Sequence, residues 1–141
     1  MIVFFDTSVL VRCYLDEAGT PDAVALWNQA HSRAGSVLLA AEMLATFARK
    51  RREVPADAPA IDAQQAAFLR HWQGMDRVSL TPTLLPELLR LHAAYGLRGA
   101  DSLHLAAALF YQRQAGEKIT FACADTTLAA AAKVEGIDVG P

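Results

Sequence analysis

The sequence predicts an α/β fold, a short and mostly parallel sheet flanked by helices, and three observations predict it. Short apolar runs such as Ile2-Val3-Phe4-Phe5 and Ile119-Thr120-Phe121-Ala122 alternate with helical patterns from end to end. Strands separated by helices imply parallel pairing, because parallel neighbours need a crossover where antiparallel ones need only a turn. Alanine is about a fifth of the chain, a usage that favours helices over an all-β architecture.

Taken in order, Ile2–Phe5 reads as a buried strand, followed by a helical stretch from Ser8 to about Asp16. Thr20-Pro21 is a helix start with Thr20 as the N-cap, and Val24, Trp27 and His31 then share one face. Val37-Leu38-Leu39 is the second strand, leading into a helix from about Ala40 to Arg52. Pro55 to Pro59 is a break, after which Asp62 and Gln65 form a capping box for a helix reaching about Gln73. Val78-Ser79-Leu80 is a third strand, and Pro86 sits in the first turn of a helix presenting Leu88, Leu91 and Tyr95. A helix from Asp101 to about Gln114 is apolar nearly all round and therefore central. The fourth strand is Ile119–Ala122, Thr127 to Glu135 is a helix closed by Gly136, and Ile137-Asp138-Val139 is a fifth, edge strand.

A chain of 141 residues, 53% hydrophobic and 20% charged, is expected to be a single globular domain spanning 1–141. A net charge of −2 excludes a basic body that would hold nucleic acid by bulk charge, while leaving room for a local basic patch. Glu42, Asp101 and His104 interrupt the longest apolar stretches, so no membrane helix is expected. The start Met1-Ile2-Val3-Phe4-Phe5 lacks a basic leader and cleavage signal. Two cysteines, Cys13 and Cys123, do not suggest a disulfide framework, so the expectation is a reduced, cytoplasmic protein.

The acids carry the functional argument. Asp6 follows the first strand, Glu42 lies near the start of the helix after the second, Asp101 opens the buried helix, and Asp125 follows the fourth strand. In an open parallel sheet the strand-to-helix joints share one edge, and ligand sites form in the crevice there. Asp6, Asp101 and Asp125 each also suit a plain helix N-cap, and Glu42 an exposed helix face. All four together are harder to explain that way. Two carboxylates about 5 Å apart repel by roughly 3 kcal/mol at an effective dielectric of 20, so such a cluster calls for a cation. Oxygen ligands without His or Cys point to Mg²⁺ or Mn²⁺, ions that keep room for phosphate oxygens and serve phosphodiester hydrolysis.

The segments Phe4-Phe5-Asp6-Thr7-Ser8, Ala40-Ala41-Glu42-Met43-Leu44 through Arg49-Lys50-Arg51-Arg52, Gly96 through Ala108 around Asp101, and Ala124-Asp125-Thr126-Thr127-Leu128 occur in this order across the chain. Together they resemble the PIN-domain ribonucleases, and most of all the VapC-type toxins of bacterial toxin–antitoxin pairs. The resemblance implies a three-layer, Rossmann-like PIN fold and Mg²⁺- or Mn²⁺-dependent endoribonuclease activity. It implies inhibition by a cognate VapB-like antitoxin, and homodimerisation. Asp6, Glu42 and Asp101 match the family's three core acids, Asp125 its more variable fourth, and Ser8 a supporting hydroxyl. Cys123 stands where the family often has Thr or Ser, and a thiol is the weaker hydrogen-bond partner.

The remaining candidates are weaker. His104, one turn beyond Asp101, reads as a packed or hydrogen-bonded core histidine. Arg49-Lys50-Arg51-Arg52 is either a solvated helix end that complements the dipole or a phosphate-binding strip. Glu42, Thr46 and Arg49 share one helical face, so the strip would lead from the acids to Arg49 and Lys50, extended by Arg12 and Arg98. Two other functions compete with metal-dependent cleavage of RNA. A phosphotransferase using Asp6 as nucleophile is opposed by Ser8, since a second Asp would be expected there. A non-catalytic binding module acting through partner association is opposed by intact acids at all four positions.

Overall fold

The strand Ile2–Phe5 (β1) is buried at every position, as the central strand of a sheet covered on both faces must be. The computed structural model of the protein describes all residues, Met1–Pro141. Around β1 the sheet adds β2 (Ser32–Ser36), β3 (Asp76–Val78), β4 (Thr120–Ala122) and β5 (Asp138–Gly140) in the order β3-β2-β1-β4-β5. Every pairing is parallel; Phe4 lies opposite Ala34 on one side and Phe121 on the other. The chain winds outward from β1 through β2 to β3, then returns to the far side of β1 for β4 and β5. The reversal puts a switch point at the carboxyl ends of β1 and β4, where open α/β sheets form their crevices.

Helices make the crossovers: α1 (Thr7–Leu10), continued by a 3₁₀ turn Val11–Cys13, and α2 (Thr20–Gln29) precede β2. Next come α3 (Val37–Glu53) and α4 (Ala58–Gln73) before β3, then α5 (Leu85–Ala94) and α6 (Gly99–Ala115) before β4. Last, α7 (Thr126–Val134) links β4 to β5. Alternation along β1 divides the interior in two. Ile2 and Phe4 join one core with Leu91, Leu105, Leu109 and Leu128 of α5, α6 and α7. Val3 and Phe5 join the other with Leu10, Leu26, Met43 and Phe68 of α1 to α4. No helix is long and apolar enough to cross a membrane.

The structure corrects four readings of the sequence. Val37-Leu38-Leu39 is the first turn of α3, not a strand; β2 is the preceding Ser32–Ser36, whose last three residues are buried. A short apolar run fits either structure, and here Leu39, Met43 and Phe47 are fully buried at helical spacing. The strand is small-residued because α3 lies close against it: a Cβ on Gly35 would stand 2.5 Å from the Leu39 side chain. Asp62 and Gln65 cap nothing, since α4 already begins at Ala58; both accept hydrogen bonds from Arg51 at 3.0 Å and tie α4 to α3. On α2 the cap is Gly19 at φ +88°, Thr20 being already helical, and the buried face is Ala23, Leu26 and the following Ala30, leaving His31 exposed. Asp101 does not open α6, which starts two residues earlier at Gly99.

A surface ion network closes the α5–α7 side. Arg90 forks onto both oxygens of Glu135 at 2.9 and 2.6 Å and reaches Glu87 at 2.7 Å. Tyr95 donates to Glu135 at 2.7 Å, and Arg113 of α6 donates to Glu87 at 2.9 Å. Arg90's hydrogen bonds chiefly, against a smaller opposing effect of burial, hold the Glu135 carboxyl below its ordinary range. A depressed carboxyl stabilises the fold above its unfolded value, about 4.3, and that contribution disappears as pH falls through the lower folded value. The urea midpoint of Arg90→Ala is therefore expected below wild type at pH 7, with the gap narrowing as pH falls below about 4.3. In the core, Phe5→Ala should cost about 3–5 kcal/mol, read as a lower urea midpoint at unchanged slope.

Candidate active site

Asp6 continues β1 by one residue: its N–H donates to Ala122 O at 2.9 Å, keeping it in register with β4. Its extended backbone makes it the N-cap of α1, and its side chain is almost fully buried. One oxygen, Oδ2, accepts from Ser8 N at 3.1 Å and from Ser8 Oγ at 2.5 Å. Ser8 Oγ in turn accepts from Ala124 N at 3.1 Å, locking β4's exit to β1's exit. The other oxygen, Oδ1, is left toward the cleft, 3.7 Å from His104 Nε2.

Glu42 projects from the second turn of α3, since that helix begins at Val37. Its Oε1 accepts from Thr7 Oγ1 at 2.9 Å and from His104 Nε2. Oε2 carries neither bond. Burial opposes ionisation of Glu42, but the hydrogen bonds from His104 and Thr7 and the charge of Arg98 outweigh it and hold the carboxyl below the usual range. Asp125 caps α7 through Oδ1, which accepts from Leu128 N at 2.8 Å, while Oδ2 lies 3.8 Å from Arg98. Asp101, in the first turn of α6, accepts from Arg98 Nε at 2.9 Å through Oδ2. Capping does not consume either side chain: one oxygen serves the helix, and the other lies near His104 for Asp6 and near Arg98 for Asp125.

The four acids share one electrostatic neighbourhood. The hydrogen bond to Asp101 and the charges of Asp101, Asp125 and Asp6 raise Arg98's affinity for its proton, and Arg98 in turn lowers Glu42. Burial above all, followed by the charge of Asp6, pushes the Cys123 thiol up to about 12; the hydrogen bond to the Asp125 backbone opposes this, and the charges of Asp125 and Asp101 add to it. Cys123 thus stays a neutral thiol, donating weakly to Asp125 O at 3.5 Å in the place of a family hydroxyl. Arg98 is 79% exposed at its side chain, a flexible cation at the mouth of the acidic cleft. The donor set, carboxylate and hydroxyl oxygens, suits a hard divalent cation. No three acid, imidazole or thiol groups converge tightly enough to ligate one ion by themselves. Mg²⁺ keeps several waters, and such a donor set fits an ion held partly through them.

Arg98 meets the acids, whereas the other basic candidates have neighbours of their own. Arg49 and Lys50 are partly exposed and lie 3.5 and 3.9 Å from Glu53, while Arg51 is committed to α4. Thr46, expected in a polar stripe from Glu42, turns its hydroxyl back to Glu42 O at 2.9 Å. Arg12 lies against Gly19 at the start of α2. His104 is the hydrogen-bonded core histidine expected, but its place beside Glu42 was missed. His104 is buried, as a core histidine would be, yet it bonds Glu42 directly. Thr7 was also missed. Both stood beside matched acids, His104 three residues after Asp101 on an inward-facing helix and Thr7 next to Asp6. The largest surface groove, about 580 Å³, lies between the α5–α6 connection and α7 beside Thr126 and includes none of the acids.

The PIN domain family model matches residues 3–139. Ribonuclease VapC45 and Ribonuclease VapC49, from two strains of Mycobacterium tuberculosis, are each 32% identical over 108 residues, covering 77% of this chain and 75% of theirs. Among solved structures, VapBC2 from Rickettsia felis bound to a promoter DNA fragment superposes with a TM-score of 0.67 at 11% identity, covering 99% of this chain and 97% of the other. Mycobacterium tuberculosis VapC20, a Sarcin-Ricin loop cleaving toxin, gives 0.64 at 19% identity with 99% of both chains covered. FitAcB from Neisseria gonorrhoeae gives 0.61 at 16% identity, covering 99% and 96%. These neighbours share the α/β fold; the family match and the two ribonuclease relatives show that the chain belongs to the PIN domain family, among its VapC-type members.

Proposed function

We propose that the chain is a VapC-type endoribonuclease that hydrolyses RNA phosphodiester bonds with Mg²⁺ or Mn²⁺, as the toxin of a pair with a VapB-like antitoxin. The observation that carries the reading is that His104 touches Asp6 and Glu42 while Arg98 reaches Asp101 and Asp125 beside the switch point. Asp6, Glu42, Asp101 and Asp125 would hold the ion, directly or through water. Bound there, a divalent cation supplies Lewis acidity toward the phosphate and acidifies water at neutral pH.

The chain's own residues do the remaining work. Ser8 fixes Asp6 by two donors to one oxygen, so the carboxylate cannot rotate without losing both. Thr7, the adjacent residue, gives Glu42 one donor, and His104 gives the same oxygen a second. Glu42, held ionised, offers a charge that does not need to be created during the reaction. Arg98, exposed and anchored only at the cleft mouth, is placed to exchange its carboxylate partners for a phosphate of the substrate. Arg49, Lys50 and Arg12 extend the proposed contacts to the RNA backbone; such contacts position a strand and do not read its bases. The curated relatives are named ribonucleases, which supports RNA as substrate, and a VapBC neighbour supports the antitoxin partner. The family resemblance extends the proposal to a homodimer.

Asp6→Asn and Asp101→Asn should fold as wild type yet leave RNA intact in a gel cleavage assay with Mg²⁺ or Mn²⁺; cleavage at the wild-type rate would sink the mechanism. Metal-free protein should melt at a higher temperature on adding either ion, since a ligand at 100 times its Kd stabilises by about 2.7 kcal/mol. An unchanged melt across millimolar metal would favour a non-catalytic binding module. Ser8→Ala should lower stability by about 1–3 kcal/mol in urea, because it leaves Ala124 N–H without its acceptor, and should slow cleavage beyond what the lost stability explains.

A further inference from the structure

Four carboxylates in one cleft, if free to rotate, would turn their oxygens toward whatever donor lay nearest. Here each acid has one oxygen tied by a named donor, and for Glu42 the principal donor comes from inside the core. His104 has almost no exposure and lies on α6, one turn beyond Asp101. Its Nε2 meets Glu42 Oε1, and its Nδ1 stands 3.1 Å from Ser36 Oγ. Ser36 occupies the N-cap of α3, a position where its hydroxyl would ordinarily take a backbone N–H of the first turn, a bond worth about 1 kcal/mol. It makes no such bond. The hydroxyl is diverted to the imidazole instead.

The proton positions follow from donor chemistry. An ionised carboxylate only accepts, so the Nε2 facing Glu42 carries the hydrogen. Nδ1 pairs with Ser36 Oγ, a hydroxyl that can either donate or accept there. Thr7 donates to the same Oε1, so both bonds fall on one oxygen and Oε2 stays unengaged toward the cleft. The chain Ser36–His104–Glu42 joins the end of β2, the second turn of α6 and the second turn of α3. A plain core histidine would need only satisfied nitrogens; it would not need a helix to give up its cap.

We propose that His104 is a positioning residue, held in place by Ser36, that orients the Glu42 carboxylate and leaves Oε2 free for a divalent cation. The proposal rests on the reading of Glu42 as a ligand. Its prediction is directional, because two substitutions each keep one half of the ring. The amide nitrogen of His104→Gln reaches the place of Nε2 and still donates to Glu42, whereas that of His104→Asn reaches only the place of Nδ1.

Mn²⁺ binding, titrated by the loss of the free-ion electron spin resonance signal, is compared in wild type, His104→Gln and His104→Asn, with melting temperatures and RNA cleavage measured alongside. His104→Gln is expected within about threefold of wild type in Kd, and His104→Asn roughly 10–100-fold weaker, the range for loss of a ligand-orienting partner. The cleavage defect of His104→Asn should fall on kcat at fixed metal and recede as metal is raised, with KM for RNA unchanged. A merely structural role would lower the melting temperature without ranking the two variants in metal affinity. Wild type that binds Mn²⁺ and cuts RNA, with folded His104→Asn binding equally well, would overturn the positioning role alone. Equal weakening in both folded variants would overturn it too. Wild type that binds no Mn²⁺ would overturn both this role and the proposed metal site.

Discussion

Like charges brought to one edge of a parallel sheet repel, and the structure around them is arranged to bear that repulsion. The sheet order makes the convergence unavoidable. Asp6 leaves β1 and Asp125 follows β4, strands that are hydrogen-bonded neighbours, so the two joints lie side by side. Asp101 and Glu42 arrive on α6 and α3, helices that pack on opposite faces of the sheet and meet at its edge through His104 and Glu42. Bonds from Ser8, Thr7, His104 and Leu128 N stabilise the ionised carboxylates, and Arg98 offsets part of their charge from the solvent side.

Fixing a carboxylate by one oxygen serves stability and function together. The tied oxygen satisfies a helix terminus or a buried donor, an obligation any fold must meet. The other oxygen is left where a cation can approach. Asp6 and Asp125 do both through N-caps, and Glu42 does it through side chains, because a residue in the second turn of a helix has no free backbone N–H to accept from. That difference explains why Glu42, not the aspartates, required a buried histidine and a threonine.

Much of the fold was legible from periodicity. The α/β class, four of the five strands to within two residues and the central apolar α6 follow from patterns that burial alone imposes. The failures share a cause. β2 was missed because its sequence, Ser-Arg-Ala-Gly-Ser, is selected by the closeness of α3 to Gly35 and by the hydroxyl that Ser36 gives to His104, neither of which leaves an apolar signature. The pair Asp62 and Gln65 suited a cap locally, but Pro59 in the first turn of α4 had already started that helix, freeing both side chains for Arg51. Spacing along one helix placed Arg49 in line with Glu42, yet Glu53 one turn further on is its nearer partner.

The sequence by itself determined which acids exist, that they sit at strand-to-helix joints or early in helices, and which family pattern they match. Joints of a parallel sheet fall on one edge whatever the details, so their convergence could be argued before any coordinates. What only the tertiary structure decided was how each carboxylate is held: that His104, seemingly a core residue, turns inward to Glu42, that Ser36 forgoes its cap for it, and that Arg98 spans Asp101 and Asp125. Those contacts join residues up to 68 positions apart across different elements. Local periodicity records which side of an element is buried, but not which polar group waits for it on the other side.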